Sequence, residues 1–283
     1  MRYLPKPAHD AEMVFRQCNS HVQDHGLRDS LETFASGIGN LATAYDTAGS
    51  GRAFHTMRPI PIPELEAAGI TALDLKKAYT QRMVPDTSPG RAIYDSLLLS
   101  TPHRLCPLCG QRPVSTLDHY LPKDYFPELS VMPVNLVPAC KDCNYNKLNF
   151  RPQTEDDSPL HPYYDQVDSE VWLFAEVEHT APVGVRYYVE RPAAWPVALG
   201  QRLARQFADL ELGVLYASQA AVEISTMDKQ MKDLFALGGG AAVAVELVAR
   251  YESSRAALTN SWKTALYHAL SHDPWYAATG VSL

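Results

Sequence analysis

The sequence predicts an α+β fold that is mainly helical, and three patterns carry that expectation. Apolar residues recur at helical spacing through residues 1–100 and again through 195–283. Between them, residues 101–151 switch to short apolar runs broken by proline and by paired cysteines. Two runs of branched and aromatic residues, 171–177 and 183–189, read as a small β-hairpin. The chain thus divides into a helical N-terminal region (1–100), a cysteine-bearing core (101–151), an acidic loop with a β-hairpin (152–194) and a helical C-terminal region (195–283).

A first helix is expected over 11–22, with Met13, Val14 and Cys18 toward one face and an end near Gly26. A second, over 31–45, is weakened by Gly37 and Gly39. The run RPIPIPE at 58–64 reads as a proline-punctuated loop. Thr71 is placed to cap a helix reaching residue 83, and SPG at 88–90 precedes a helix over 91–99 with Ile93 and Leu97 on one side. Beyond the hairpin, Leu199, Leu203 and Phe207 recur every four residues in a helix over 197–210. Further helices follow over 213–237, 241–258 and 261–270, with Gly238, Gly239 and Gly240 as a flexible break. No internal repeat or low-complexity tract interrupts this order.

With 283 residues, 46% hydrophobic and 20% charged, the chain has the composition of an ordinary globular protein. The opening MRYLPKP lacks the apolar stretch and cleavage site of a signal peptide. No apolar run reaches the roughly 18–20 residues that span a bilayer. A reducing cytoplasm and no membrane contact are the expectation. The net charge of −7 is unevenly spread. Residues 101–151 hold 6 Lys/Arg against 4 Asp/Glu, whereas 152–201 hold 2 against 9. That balance leaves room for a local phosphate site but argues against broad, unaided coating of DNA. A second component is expected to deliver the substrate.

Four of the five cysteines form two knuckles, Cys106-x-x-Cys109 and Cys140-x-x-Cys143. Four thiolates at that spacing suit tetrahedral Zn²⁺, with a redox pair as the weaker reading. The 30 residues between Cys109 and Cys140 exceed a simple zinc ribbon, so something folded is inserted there. Cys18 lies apart in a helical segment and reads as a plain buried thiol.

The insert contains Asp118-His119 and Asn135, and Cys143 is followed directly by Asn144, Asn146 and Lys147. This order resembles the HNH family of His-metal-finger nucleases. The resemblance implies a zinc-stapled ββα-metal core, a hairpin over 114–137 and a helix starting near Lys141. By the same resemblance, Asp118 and Asn144 would hold a catalytic Mg²⁺ or Mn²⁺ ion, His119 would be the general base, and Asn135 would brace the loop bearing the His. Asn144 stands where many members have His, making an H-N-N variant, and Asn146 is the alternative ligand if the helix register differs by two. A carboxamide oxygen is a suitable hard ligand for Mg²⁺. Lys147, with Lys123 and Lys141 as weaker candidates, would reach a phosphate. Nucleic acid is the implied substrate, DNA ahead of RNA.

Each residue also has a plainer reading. An Asp-His pair is commonly a surface hydrogen bond, an isolated Asn a turn residue, and a helix-face Lys a solvated charge. Tyr120, Tyr125 and Phe126 read first as packing groups, and His161 as a loop residue fixing local hydrogen bonds. Only the joint order lifts the first set above these. Residues 160–165 (LHPYYD) and 260–270 further resemble bacterial stand-alone HNH proteins, some encoded beside ATPases in phage-defence systems of the Septu and retron-linked kinds. That implies a partner protein such as an ATPase and a role as a defence effector. The alternatives are a non-catalytic zinc-binding interaction module and a DNA-binding regulator. The mixed charge of residues 141–147 disfavours the regulator.

Overall fold

Side-chain oxygens start the helices of the N-terminal region. In the computed structural model, which describes residues 1–282, Asp10 accepts a hydrogen bond from the Met13 amide at the head of α1 (Ala11–Asn19). Asp24 does the same for Leu27 at the head of α2 (His25–Ser50). Helix α2 is much longer than the 31–45 expected. Leu31, Ala35, Ile38, Tyr45 and Ala48 make a continuous buried stripe, and that burial outweighs the cost of Gly37 and Gly39. Near its end Gly49 is required, because a Cβ there would stand 2.5 Å from the Tyr164 ring.

The stretch 58–64 is only partly a loop. Residues Ile62–Ala67 form a short helix, α3, which accepts Pro63 in its first turn, where a missing amide costs nothing. Helix α4 (Ala72–Thr80) begins with a full capping box between Thr71 and Asp74. Helix α5 (Arg91–Leu98) follows, burying Ile93, Tyr94 and Leu97.

The cysteine-bearing segment forms strand β1 (Thr116–His119), antiparallel to β2 (Leu136–Ala139), and then helix α6 (Lys141–Lys147). The register pairs Leu117 with Pro138 and Asp118 with Val137. A two-stranded ribbon leaves backbone groups unpaired along its outer edges. Here the Tyr79 hydroxyl donates to the Leu117 carbonyl at 3.2 Å and Tyr163 donates to the Leu136 carbonyl at 3.1 Å. Helix α4 packs on the 3-10 turn Pro127–Leu129, and α5 packs on both strands.

The chain forms two compact units, Met1–Gln166 and Val167–Leu283, so that the segment 152–194 is shared between them. In the second unit, β3 (Leu173–Glu178) pairs antiparallel with β4 (Gly184–Val189). Asn260 ties this hairpin down, its oxygen accepting from the Trp172 amide at 2.9 Å and its amide donating to the Glu170 carbonyl at 2.7 Å. Helices α7 (Val197–Asp209), α8 (Leu212–Ala257), α9 (Trp262–His272) and α10 (Pro274–Ala278) complete the unit. The whole is mainly helical with two small antiparallel sheets, as the sequence predicts.

Helix α8 is the element among the described residues that bears on membrane contact, although it contains no uninterrupted apolar run of 18 residues. Its length and composition satisfy the test for a membrane span, with mean hydropathy 1.4 over an 18-residue window of which 11% is buried. Gly238 (φ −146°) and Gly239 (φ 64°) nevertheless leave the helical region and break it into two arms. The arms turn back on each other: Gln230 donates to Glu246 at 3.1 Å, and Arg250 reaches Gln230 at 2.5 Å.

Glu128 in the first unit has a measurable consequence. Its side chain is 3% exposed, one carboxyl oxygen accepts from the Ile60 amide at 3.1 Å, and the other has no partner among the described residues. Burial pushes this carboxyl from its ordinary 4.5 up to about 7. The fold therefore favours the protonated acid. Its stabilising contribution is complete below the ordinary value and is lost as pH rises through about 7, with a slope of up to about 1.4 kcal/mol per pH unit. Urea denaturation is expected to show stability falling between those two values, and Glu128→Gln is expected to flatten that fall. A variant with the wild-type pH profile would refute this assignment.

Candidate active site and metal centre

The two knuckles meet. Gly110 follows Cys109 in the left-handed conformation (φ 66°), and its amide donates to the Cys106 carbonyl at 2.7 Å, closing the first knuckle. The Arg112 amide lies 3.4 Å from the Cys109 sulfur. Cys140 caps α6 with its own sulfur, which accepts from the Cys143 amide at 3.4 Å. These N–H groups orient the sulfurs from behind. All four residues are buried, and their sulfurs lie within 4.8 Å of one another.

A tetrahedron of Zn–S bonds of about 2.3 Å has S···S edges of about 3.8 Å, so the cluster fits a zinc ion. No cysteine is in a disulfide; Cys18 is buried, its thiol pushed up to about 12 by that burial.

Beside this cluster, Asp118, His119, Lys123 and Asn144 line one cavity of about 160 Å³, together with Tyr79, Pro122, Leu148 and Asn149. Strand β1 delivers Asp118 and His119, and α6 delivers Asn144 from the turn after Cys143. The imidazole Nε2 donates to the Ser130 carbonyl at 2.8 Å. A carbonyl can only accept, so this bond sets the tautomer and leaves Nδ1 as the basic nitrogen. The Tyr79 ring stands edge-on to the imidazole at 4.4 Å. Burial pushes His119 down to about 3, with the Ser130 bond opposing, so the ring is neutral around neutral pH.

Asp118 is buried too. Its carboxyl is raised by burial, against the pull of Lys147, whose ammonium lies 3.1 and 3.0 Å from the two oxygens. The same ammonium donates to the His119 carbonyl at 2.7 Å, and the Lys147 side chain is only 8% exposed. Lys147 is therefore engaged below the cavity. Lys123 lines it and makes no ion pair among the described residues. Lys141 is exposed and, like Asn146, is not on the lining. The Asn144 carboxamide lines the cavity and makes no hydrogen bond among the described residues.

Asn135 stands outside the cavity and is fully buried. Its oxygen accepts from the Leu121 amide at 2.8 Å, and its amide donates to the carbonyls of Leu121 at 3.0 Å and Leu129 at 3.2 Å. Both ends of the 121–129 loop are thus held by one side chain. Tyr79 and the Ser130 carbonyl escape the sequence reading, which places residue 79 within the helix capped by Thr71 and assigns it no role. A buried tyrosine hydroxyl needs a partner, and that requirement is the one signal available.

The comparisons with known proteins add one relative. The chain is similar to protein ea31 of Escherichia phage lambda. The two are 28% identical over 237 residues, covering 81% of this chain and 80% of the phage protein. No family model matches the chain, and no solved structure does.

The four thiols are expected to carry about one zinc ion per chain, readable by elemental analysis of the purified protein. Cys143→Ser is expected to lose that zinc and to lower the melting temperature of the first unit. Full zinc content in the variant would overturn the four-cysteine assignment.

Proposed function

We propose that this chain is an HNH-type, metal-dependent endonuclease that hydrolyses nucleic-acid phosphodiesters, DNA ahead of RNA. One observation carries the reading: Asp118, His119, Asn144 and Lys123 share a single cavity on a strand-strand-helix unit whose inter-strand loop Asn135 holds at both ends. In a ββα-metal core, those residues have separate duties.

Nδ1 of His119 takes a proton from the attacking water, while Nε2 stays bonded to Ser130 and keeps the ring oriented. Lys123 offers its ammonium to the phosphate. The donor set suits a hard divalent cation. Asp118 already attracts a cation, the Lys147 ammonium, and Asn144 offers a carboxamide with no other partner. Asp118 and Asn144 would hold Mg²⁺ or Mn²⁺, which when bound neutralises charge building on the phosphate and on the leaving oxygen.

Lys147 and a divalent ion compete for one carboxylate. That competition is what favours a second reading, a zinc-stapled interaction module in which Lys147 closes Asp118 permanently. On the nuclease reading, the resemblance also suggests an effector that works with a partner protein such as an ATPase. The acid-rich segment 152–190 is then a docking or shielding surface.

His119→Ala, at unchanged zinc content, is expected to lower Mn²⁺-supported cleavage of plasmid or single-stranded DNA by at least about 10²-fold. Equal rates for the two proteins would refute catalysis. In a separate measurement without substrate, Lys147→Met is expected to tighten Mn²⁺ binding followed by electron paramagnetic resonance. No Mn²⁺ binding to either protein would favour the interaction module.

A further inference from the structure

We infer that Tyr45 and His161 are positioning residues that hold the Asn135 brace, and through it the imidazole of His119; this rests on the nuclease reading of that site. Tyr45, Asn135 and His161 are each fully buried. The Tyr45 hydroxyl lies 3.0 Å from the Asn135 oxygen and 3.1 Å from Nε2 of His161. Nδ1 of His161 accepts from the Tyr163 amide at 3.2 Å. An amide can only donate, so the His161 proton resides on Nε2.

The direction of every bond then follows. Nε2–H of His161 donates to the Tyr45 oxygen, and the Tyr45 hydroxyl donates to the Asn135 oxygen. That oxygen also receives the Leu121 amide, and the Asn135 amide gives both protons to the carbonyls of Leu121 and Leu129. Reversing the Asn135 side chain would set its NH₂ against two donors and its oxygen against two carbonyls. Only one orientation is allowed. The braced loop leads into Ser130, whose carbonyl orients His119. Hydrogen bonds therefore run from the 160–165 turn to Leu129, and the backbone step from Leu129 to Ser130 completes the connection to the base.

The surroundings keep the relay in one arrangement. The His161 ring packs among Phe54 at 5.3 Å, Tyr120 at 4.2 Å and Tyr164 at 4.7 Å. Its backbone amide donates to Asp165 at 2.7 Å, fixing the turn. An apolar pair at positions 45 and 161 would fill the same space without the bond to Asn135. The polar atoms are costly to bury unless paired, so their presence is accounted for by what they hold.

The test uses the full chain carrying Tyr45→Phe, with His161→Gln as a second variant that keeps a donor near the Nε2 position, and His161→Leu as the variant that removes it. Three quantities are read: kcat and KM for cleavage of a defined oligonucleotide with Mn²⁺, amide hydrogen exchange at Leu121, and melting temperature. Tyr45→Phe and His161→Leu are expected to lower kcat at least about 10-fold with KM within about 2-fold. Exchange at Leu121 is expected to rise by a similar factor, and His161→Gln is expected to recover part of both effects. Wild-type kcat and wild-type Leu121 exchange in Tyr45→Phe would overturn the inference. So would a loss expressed in KM alone, or equal losses in His161→Gln and His161→Leu. If the wild type cleaves nothing, the nuclease reading fails by itself, and Leu121 exchange still decides whether Tyr45 and His161 hold the brace.

Discussion

The carboxamide of Asn135 is the interaction on which the site depends. Residues 120–135 link two four-residue strands and contain only two short 3-10 turns of their own. A stretch of that length pays heavily in chain entropy unless it is tied internally. Asn135 meets the requirement with groups of both polarities. Its oxygen takes the Leu121 amide and its nitrogen returns two bonds to carbonyls eight residues apart in the chain, at Leu121 and Leu129. Only a carboxamide offers two donors and a two-fold acceptor on one side chain, and glutamine would carry it one methylene further from the backbone. The turn at 127–129, the Ser130 carbonyl and the tautomer of His119 all follow from this anchorage.

A second dependence runs through α6. Seven residues are too few for a helix to persist on propensity alone. Its first turn is held by the sulfur of Cys140 and by the packing of Cys143 in the cluster; its last turn is held by Lys147 on Asp118. Asn144 lies between these two ties. An ion bound by the thiols would therefore do more than stabilise the knuckles, because it would also hold the first turn of the helix from which Asn144 faces the cavity. The thiol cluster and the Asp118–Lys147 pair share one short element, so a change at either end is felt at the other.

Much of this was legible locally. The cysteine pairs and the capping sequence at Thr71 carry their meaning within a few residues, and the β3–β4 runs are rich in branched and aromatic residues, as strands are. The length of α2 was not legible, because its glycines weaken the local signal while its buried stripe is compensated by partners distant in the chain. Tyr45 lies 90 residues from Asn135 and 116 from His161, so nothing in their own neighbourhoods marks them as partners. Lys147 is similar: from its helix it reads as a free surface charge, and its bond to Asp118 across 29 residues makes it an internal one.

The two tyrosine hydroxyls on the edges of the β1–β2 ribbon have a consequence of another kind. Tyr79 and Tyr163 occupy carbonyls that would otherwise invite a foreign strand. Pro138, inside β2, offers no amide to such a strand either. An extended peptide or a second copy of the ribbon would meet carbonyls already bonded at Leu117 and Leu136 and no amide at Pro138, which disfavours strand addition. Whatever approaches this region must be recognised by side chains and by the shape of the cavity rather than by its backbone.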